Sequence, residues 1–220
     1  MKHILKSIIA ISLVSTAACK DAPKADEAQT AEAQQVQEAP MGTNFAVDNQ
    51  KSTLSWIGTK PVGKHDGIFP ISTGMISVAD NNITGGRFDI DMANLKVLDG
   101  GEGNEKLQGH LKSADFFDVT KYPNARFEIT SVAAGVTDSK DLVMKDATHT
   151  VTGNLTLKDS TKSVTFPAKV GMNGNSLIAD ADFNIDRTQW GIVYGNDKSL
   201  GDKFIRPEVN IKLHIEANKQ

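Results

Sequence analysis

Apolar and polar residues alternate one by one along most of the chain beyond residue 43, and no other feature narrows its folding choices as far. Phe88, Ile90 and Met92 alternate with Arg87, Asp89 and Asp91, and Phe127 and Ile129 with Arg126, Glu128 and Thr130. The pattern returns at Val151, Leu155 and Leu157, at Val164, Phe166, Ala168 and Val170, at Leu177 through Ile185, and at Val209, Ile211, Leu213 and Ile215. Successive side chains of a strand point to opposite faces, so a period of two means strands that are dry on one side and wet on the other, as in antiparallel sheet. Asp80-Asn81-Asn82, Lys158-Asp159-Ser160 and Met172-Asn173-Gly174-Asn175 supply turn chemistry between strands. One segment breaks the rule. From Asn104 to Phe117, Leu107, Leu111, Ala114 and Phe117 fall near helical spacing behind Asn104 as N-cap, which predicts one short helix.

An all-β domain of about eight antiparallel strands is a sandwich or a closed barrel. Closure removes exposed strand edges, and at eight strands the interior is filled by side chains or holds one small ligand. The formal charge of -3, with basic residues scattered among acidic ones, speaks against nucleic acid as a partner.

The N-terminal region differs in kind. Lys2, His3 and Lys6 precede an apolar run from Ser7 to Ser15 and the small residues Thr16, Ala17 and Ala18, so residues 1–18 read as a secretory signal. The run is shorter than the roughly 20 residues needed to cross a hydrocarbon core. Cys19 is the only cysteine, and TAAC resembles the lipobox of bacterial lipoproteins, with Thr16 where an aliphatic residue is usual. Lipidation at Cys19 would hang the exported chain from a membrane, each buried acyl methylene contributing about 0.8 kcal/mol. The competing readings are a signal residue lost on cleavage and a thiol that pairs between chains. Residues 19–43, rich in Ala, Gln, Glu and Pro and without an aromatic, bury too little apolar surface to offset ordering entropy and are expected to form a disordered tether.

Gly58, Gly63 and Lys64 stand at the spacing of a phosphate-binding loop, but His65 replaces the metal-binding hydroxyl. Gly67, Pro70 and Gly74 also prevent the helix whose N-terminus would hold the phosphates. GTKPVGKHDG reads instead as a loop joining two strands.

The stretch LQGHLKSADFFDVTKYPNARFEITSV at 107–132 carries His110, Leu111, Ser113, Asp115, Phe116, Phe117 and Asp118, followed by Tyr122, Pro123 and Phe127. It resembles the signature region of the YceI family. Three further blocks agree: KHDGIF at 64–69, VTGNLTLKDSTKSVTFPAKV at 151–170, where Asp159-Ser160 replaces a usual glycine, and FNIDRTQWGI at 183–192. The resemblance covers about residues 44–217. It implies an extended lipocalin-like antiparallel barrel with a long apolar interior, in which family members bind polyisoprenoid lipids such as isoprenoid quinones or prenyl phosphates. On that reading Trp56, Phe88, Ile90, Met92, Phe127, Ile129, Leu155, Leu157, Phe166, Phe183, Trp190 and Ile192 line the interior, methionine suiting an adaptable wall. Apolar strand faces also form the packed core of any β protein, so alternation alone does not establish a tunnel.

Lys64, His65, His110 and Arg187 are the candidates for a polar mouth, because loops and strand ends put polar groups near a ligand's tip. Their ordinary alternatives are a solvated Lys64, a turn-bonding His65, a helix-surface His110 and an Arg187 paired with Asp182 or Asp186. No G-x-S-x-G elbow or H-E-x-x-H motif occurs, and the five histidines form no i, i+4 pair. An enzyme acting on a small hydrophobic molecule would need a polar cluster inside the barrel. A filled barrel serving as a protein-interaction module would need an exposed apolar patch. An outer-membrane barrel conflicts with charges such as Arg87, Asp89, Arg126 and Lys212 and with the lack of aromatic girdles. The expectation is a lipid-anchored envelope barrel that binds an isoprenoid chain without changing it, with no cofactor or metal. The choice between carrier, store and sensor, the membrane concerned and dimer formation all stay open.

Overall fold

The structure, a computed structural model, describes residues 22–36, 42–99, 104–136 and 141–220. Cys19 and the signal segment 1–18 lie outside the described residues. In chain order the elements are β1 Asp26–Glu27, β2 Gln29–Glu32, β3 Thr43–Val47, β4 Thr53–Lys60, β5 Gly63–Ile68, β6 Ile71–Ala79, β7 Asn82–Asp91 and β8 Lys96–Val97. Helix α1 Asn104–Lys112 follows, then β9 Asn124–Ala134, β10 His149–Leu157, β11 Ser160–Asn173, β12 Ser176–Asp186 and β13 Glu208–Lys219.

Eight antiparallel strands close into a barrel. Going round the wall, β12 neighbours β11, then β10, β9, β7, β6, β3 and β13, and β13 pairs back onto β12. Two wall positions are shared. β3 and β4 are one line interrupted by a turn, in which Asp48 carbonyl accepts from the Ser52 N–H at 2.9 Å, and both pair with β13. β5 pairs with β4 and continues through Phe69 and Pro70 into β6. The alternation read from the sequence maps onto this wall: on β11, Val164, Phe166 and Ala168 face inward and are buried. The tight hairpins fall where short polar residues tolerate left-handed backbone, with Asp80 at φ 50° and Asn81 at φ 62°.

Three expectations are corrected. The helix ends at Lys112 rather than near Phe117, because Ser113 folds back with both its N–H and its hydroxyl donating to the His110 carbonyl, at 3.0 and 2.8 Å. Asp118, at φ 47°, completes the reversal, and Phe116 and Phe117 turn into the barrel end instead of extending a helical stripe. GTKPVGKHDG is not a loop. The β4–β5 ladder runs to Lys60↔Gly63, so only Pro61 and Val62 turn.

The third correction concerns the expected tether, of which residues 22–36 lie against the wall. β11 and β12 pair only from Lys169↔Asp180 to Asn173↔Ser176, then part toward the end of the barrel that carries α1. The N-terminal strand occupies the gap, β1 parallel to β12 at Asp26↔Phe183 and β2 antiparallel to β11 from Gln29↔Thr165 to Glu32↔Lys162. Parted strand edges present unpaired N–H and C=O groups, and a backbone of almost any composition satisfies them. Apolar content carries no trace of that demand.

Candidate functional site: an apolar cavity in the barrel

Inward side chains from the whole wall surround a cavity of about 230 Å³. Of the residues expected to line the interior, all but Trp190 border it. An aromatic run crosses one side: Phe88 and Phe127 have ring centres 6.4 Å apart, Phe127 and Phe166 5.9 Å, and Phe166 and Phe183 stack at 4.1 Å and 12°. Gly153 makes room for this run, since a Cβ there would stand 2.4 Å from the Phe127 ring. On the other side Trp56 lies against Gly67, where a Cβ would come within 2.6 Å of the indole, and its ring centre is 6.0 Å from Phe69. The buried Trp56 Nε1 has no hydrogen-bond partner among the described residues. Trp56 therefore carries an unspent donor.

Trp190 is a bolt rather than a lining. Asp186 accepts from the Thr188 N–H at 2.8 Å and starts a 3-10 turn, Arg187–Trp190, which Gly191 ends at φ 70°. This swings the indole beneath the wall, where Nε1 donates to the Leu155 carbonyl at 2.9 Å.

The α1 end is closed by Leu111, Phe116, Phe117, Ile192 and Ile205, with Phe69 and Phe117 edge to face at 5.6 Å. None of these except Ile192 was foreseen as lining. Leu111, Phe116 and Phe117 stand in the signature stretch, but only the early helix stop aims the two phenylalanines inward.

Of the four polar-mouth candidates, His110 and Arg187 converge on Phe116 and Tyr194, with the Arg187 guanidinium 6.0 Å from the Phe116 ring centre, whereas Lys64 and His65 stand on β5. Arg187 borders the cavity and is 6% exposed, while Lys64, His65 and His110 do not border it. Lys64 is exposed, as the ordinary alternative had it. His65 Nδ1 meets Asp99 at 2.7 Å and His110 Nε2 meets Asp115 at 2.9 Å, with His110 edge-on to Phe116 and Tyr194. Arg187 is not paired with Asp182 or Asp186 as that alternative supposed. Its Nε donates to the Arg206 carbonyl at 3.2 Å, Nη2 to Tyr194 and Ile205 carbonyls at 3.0 and 2.9 Å, and Nη1 to the Ile192 carbonyl. Asp182 instead pairs with Lys212, and Asp186 is the turn cap. Arg187 thus ties the segment 192–194 to 205–206. Burial pushes its guanidinium below the ordinary value, against the pull of Asp186 and Glu208.

Asp180 also borders the cavity, but its carboxylate turns outward to His214 Nδ1 at 2.7 Å. That hydrogen bond raises the His214 pKa. No group of three or more His, Cys, Asp or Glu side chains gathers at metal-binding range among the described residues. What the interior offers is an apolar surface alone, one that favours hydrocarbon by about 25 cal/mol per Å² buried, with the Arg187 guanidinium turned to backbone carbonyls.

Comparison with known proteins places this geometry. Residues 45–217 match the model of the YceI-like domain. A UPF0312 protein of Pseudomonas putida is 45% identical over 65 residues, spanning 30% of this chain and 29% of that protein. One from Azotobacter vinelandii is 30% identical over 107 residues, spanning 43% and 51%. The alignments thus cover about a third to a half of these curated relatives. Among solved structures, Burkholderia cenocepacia BcnA superposes with a TM-score of 0.60 at 24% identity, over 77% of this chain and 98% of BcnA. A polyisoprenoid binding domain from Saccharophagus degradans superposes with a TM-score of 0.59 at 14% identity, over 80% and 98%. These two likenesses concern the fold, and the match over residues 45–217 establishes that the chain belongs to the YceI-like domain family.

Proposed function

We propose that the protein binds a polyisoprenoid lipid, an isoprenoid quinone or a prenyl phosphate, inside the barrel and holds it without chemical change. The observation that carries this reading is the cavity itself, whose surface is apolar throughout. A chain of repeated methyl-branched units suits such a wall, because its burial is hydrophobic and needs no directed contacts. The fold shared with the Saccharophagus degradans polyisoprenoid binding domain supports the same class of ligand. The role is that of carrier, store or sensor in the cell envelope, with the exported chain anchored through a lipid on Cys19, and binding needs no cofactor.

Native and denaturing mass spectra of the purified protein, with a solvent extract, test the reading. A stoichiometric isoprenoid series is the expected result. A barrel that carries no lipid and takes up neither added quinone nor prenyl phosphate would overturn it. For the anchor, Cys19→Ala is expected to remove both the lipid mass and the membrane fraction.

A further inference from the structure

The parted halves of β11 and β12 leave the wall without a ladder between residues 160–168 and 181–186. Two layers fill the gap. Inside, Phe166 and Phe183 stack across it at 4.1 Å, and both border the cavity. Outside lies the strand of residues 26–32.

That outer strand is held almost entirely by polar contacts. The Asp26 carboxylate, 8% exposed, accepts from the Val143 and Met144 N–H groups at 2.7 and 2.9 Å. Asn154 pairs with the backbone of Gln34 in both directions, accepting its N–H at 2.9 Å and donating to its carbonyl at 2.7 Å. Asn184 donates to Glu27 at 2.8 Å. Asn154, Ser163 and Asn184, buried on the wall positions that pair with or bond to this segment, are all groups at ease in water. Ala28 is the one residue of the strand that packs against the core.

Hydrogen bonds of this kind exchange with water at a small net gain each, whereas peeling off an apolar strand would expose hydrocarbon. A strand so held opens locally at lower free energy than the barrel unfolds. Its release would leave one aromatic pair between solvent and cavity. Among the described residues the α1 end shows no comparable slit, being closed by Phe116 and Phe117 and tied by Arg187 to four backbone carbonyls.

We propose that residues 22–36 form a releasable strand of the wall and that the parted β11–β12 joint is a lateral entrance through which an apolar chain reaches the cavity. The entrance rests on the lipid-binding reading given above; the release of the strand does not.

Ala31 and Ser163 stand directly opposite across the strand and β11, within the spacing a disulfide spans. In the full chain, Ala31→Cys with Ser163→Cys, its cross-link verified by peptide mass, is loaded with decylubiquinone. The oxidised form is expected to load slower by about tenfold or more, to the same final stoichiometry, with reduction restoring the rate. Equal rates in the two forms would overturn the entrance. Hydrogen exchange on the unaltered protein judges release without any ligand. The amides of Ala28, Gln34, Val143 and Met144 are expected to exchange together, well before those of the β12–β13 ladder. If they exchange only with global unfolding, the strand does not release and the proposal fails. If they exchange early while no quinone binds in any form, the lipid-binding reading fails and the lateral entrance with it, leaving strand release standing.

Discussion

β12 joins its two neighbours in the eight-stranded barrel in opposite ways. Toward β13 the ladder is unbroken, from Ser176↔Asn218 to Asp186↔Glu208. Toward β11 it stops at Lys169↔Asp180, and closure is completed by an aromatic stack and a borrowed strand. Both joints are made by strand pairing, yet one draws on the family domain and the other on residues that precede it. A barrel wall can therefore be closed all round and mechanically uneven, with its weak line set by where the ladder ends.

The largest expected effect comes from breaking what the two joints share. Phe183 lies opposite Ile211 on the ladder side and stacks on Phe166 across the gap, so Phe183→Ala should cost about 3–5 kcal/mol in urea unfolding. Next, Asp26→Ala removes the acceptor of two backbone N–H groups and should weaken docking of the strand by about 1–3 kcal/mol. That loss is expected in the exchange of Val143 and Met144 amides and not in those of β12–β13; a uniform loss would mean the two joints are one cooperative unit.

The pH dependence should be a property of the ladder joint. His214 on β13 faces Asp180 on β12, with Glu216 and Lys51 beside it, and its pKa is raised in the folded state. A raised value means the contribution is fully present below the unfolded pKa of about 6.5 and is lost as pH rises through the folded value. His214→Gln should flatten stability against pH in that window and leave the exchange of the strand's amides unchanged. The smallest effect belongs to Glu32→Ala. Its ion pair with Lys162 at 2.7 Å is formed by a side chain 89% exposed, so its removal should barely alter strand release.

Much of this wall was legible in the sequence because one face of each strand meets the cavity and the other meets water. The inward set from Phe88 to Phe183 follows from that period. Three features were not legible, for separate reasons. Phe116 and Phe117 enter the barrel only because Ser113 stops the helix by bonding to His110, a competition between side chain and helix that spacing does not register. The four polar-mouth candidates do not face the cavity together because His65 and His110 each found a local carboxylate and Arg187 found backbone carbonyls, although His110 and Arg187 meet the same two aromatics. The strand at 26–32 escaped notice because its order is imposed by edges more than a hundred residues away, and its own side chains give no period.

The contrast between the two indoles has an optical consequence. Trp56 is pressed on Gly67 at the cavity wall with its N–H unspent, while Trp190 is sealed beneath the wall with its N–H fixed on a carbonyl. They are the only tryptophans in the chain. A molecule entering the barrel changes the surroundings of the first and leaves those of the second alone. The chain thus contains both a sensor of occupancy and an internal standard for its emission, and substituting either one by phenylalanine separates the two signals.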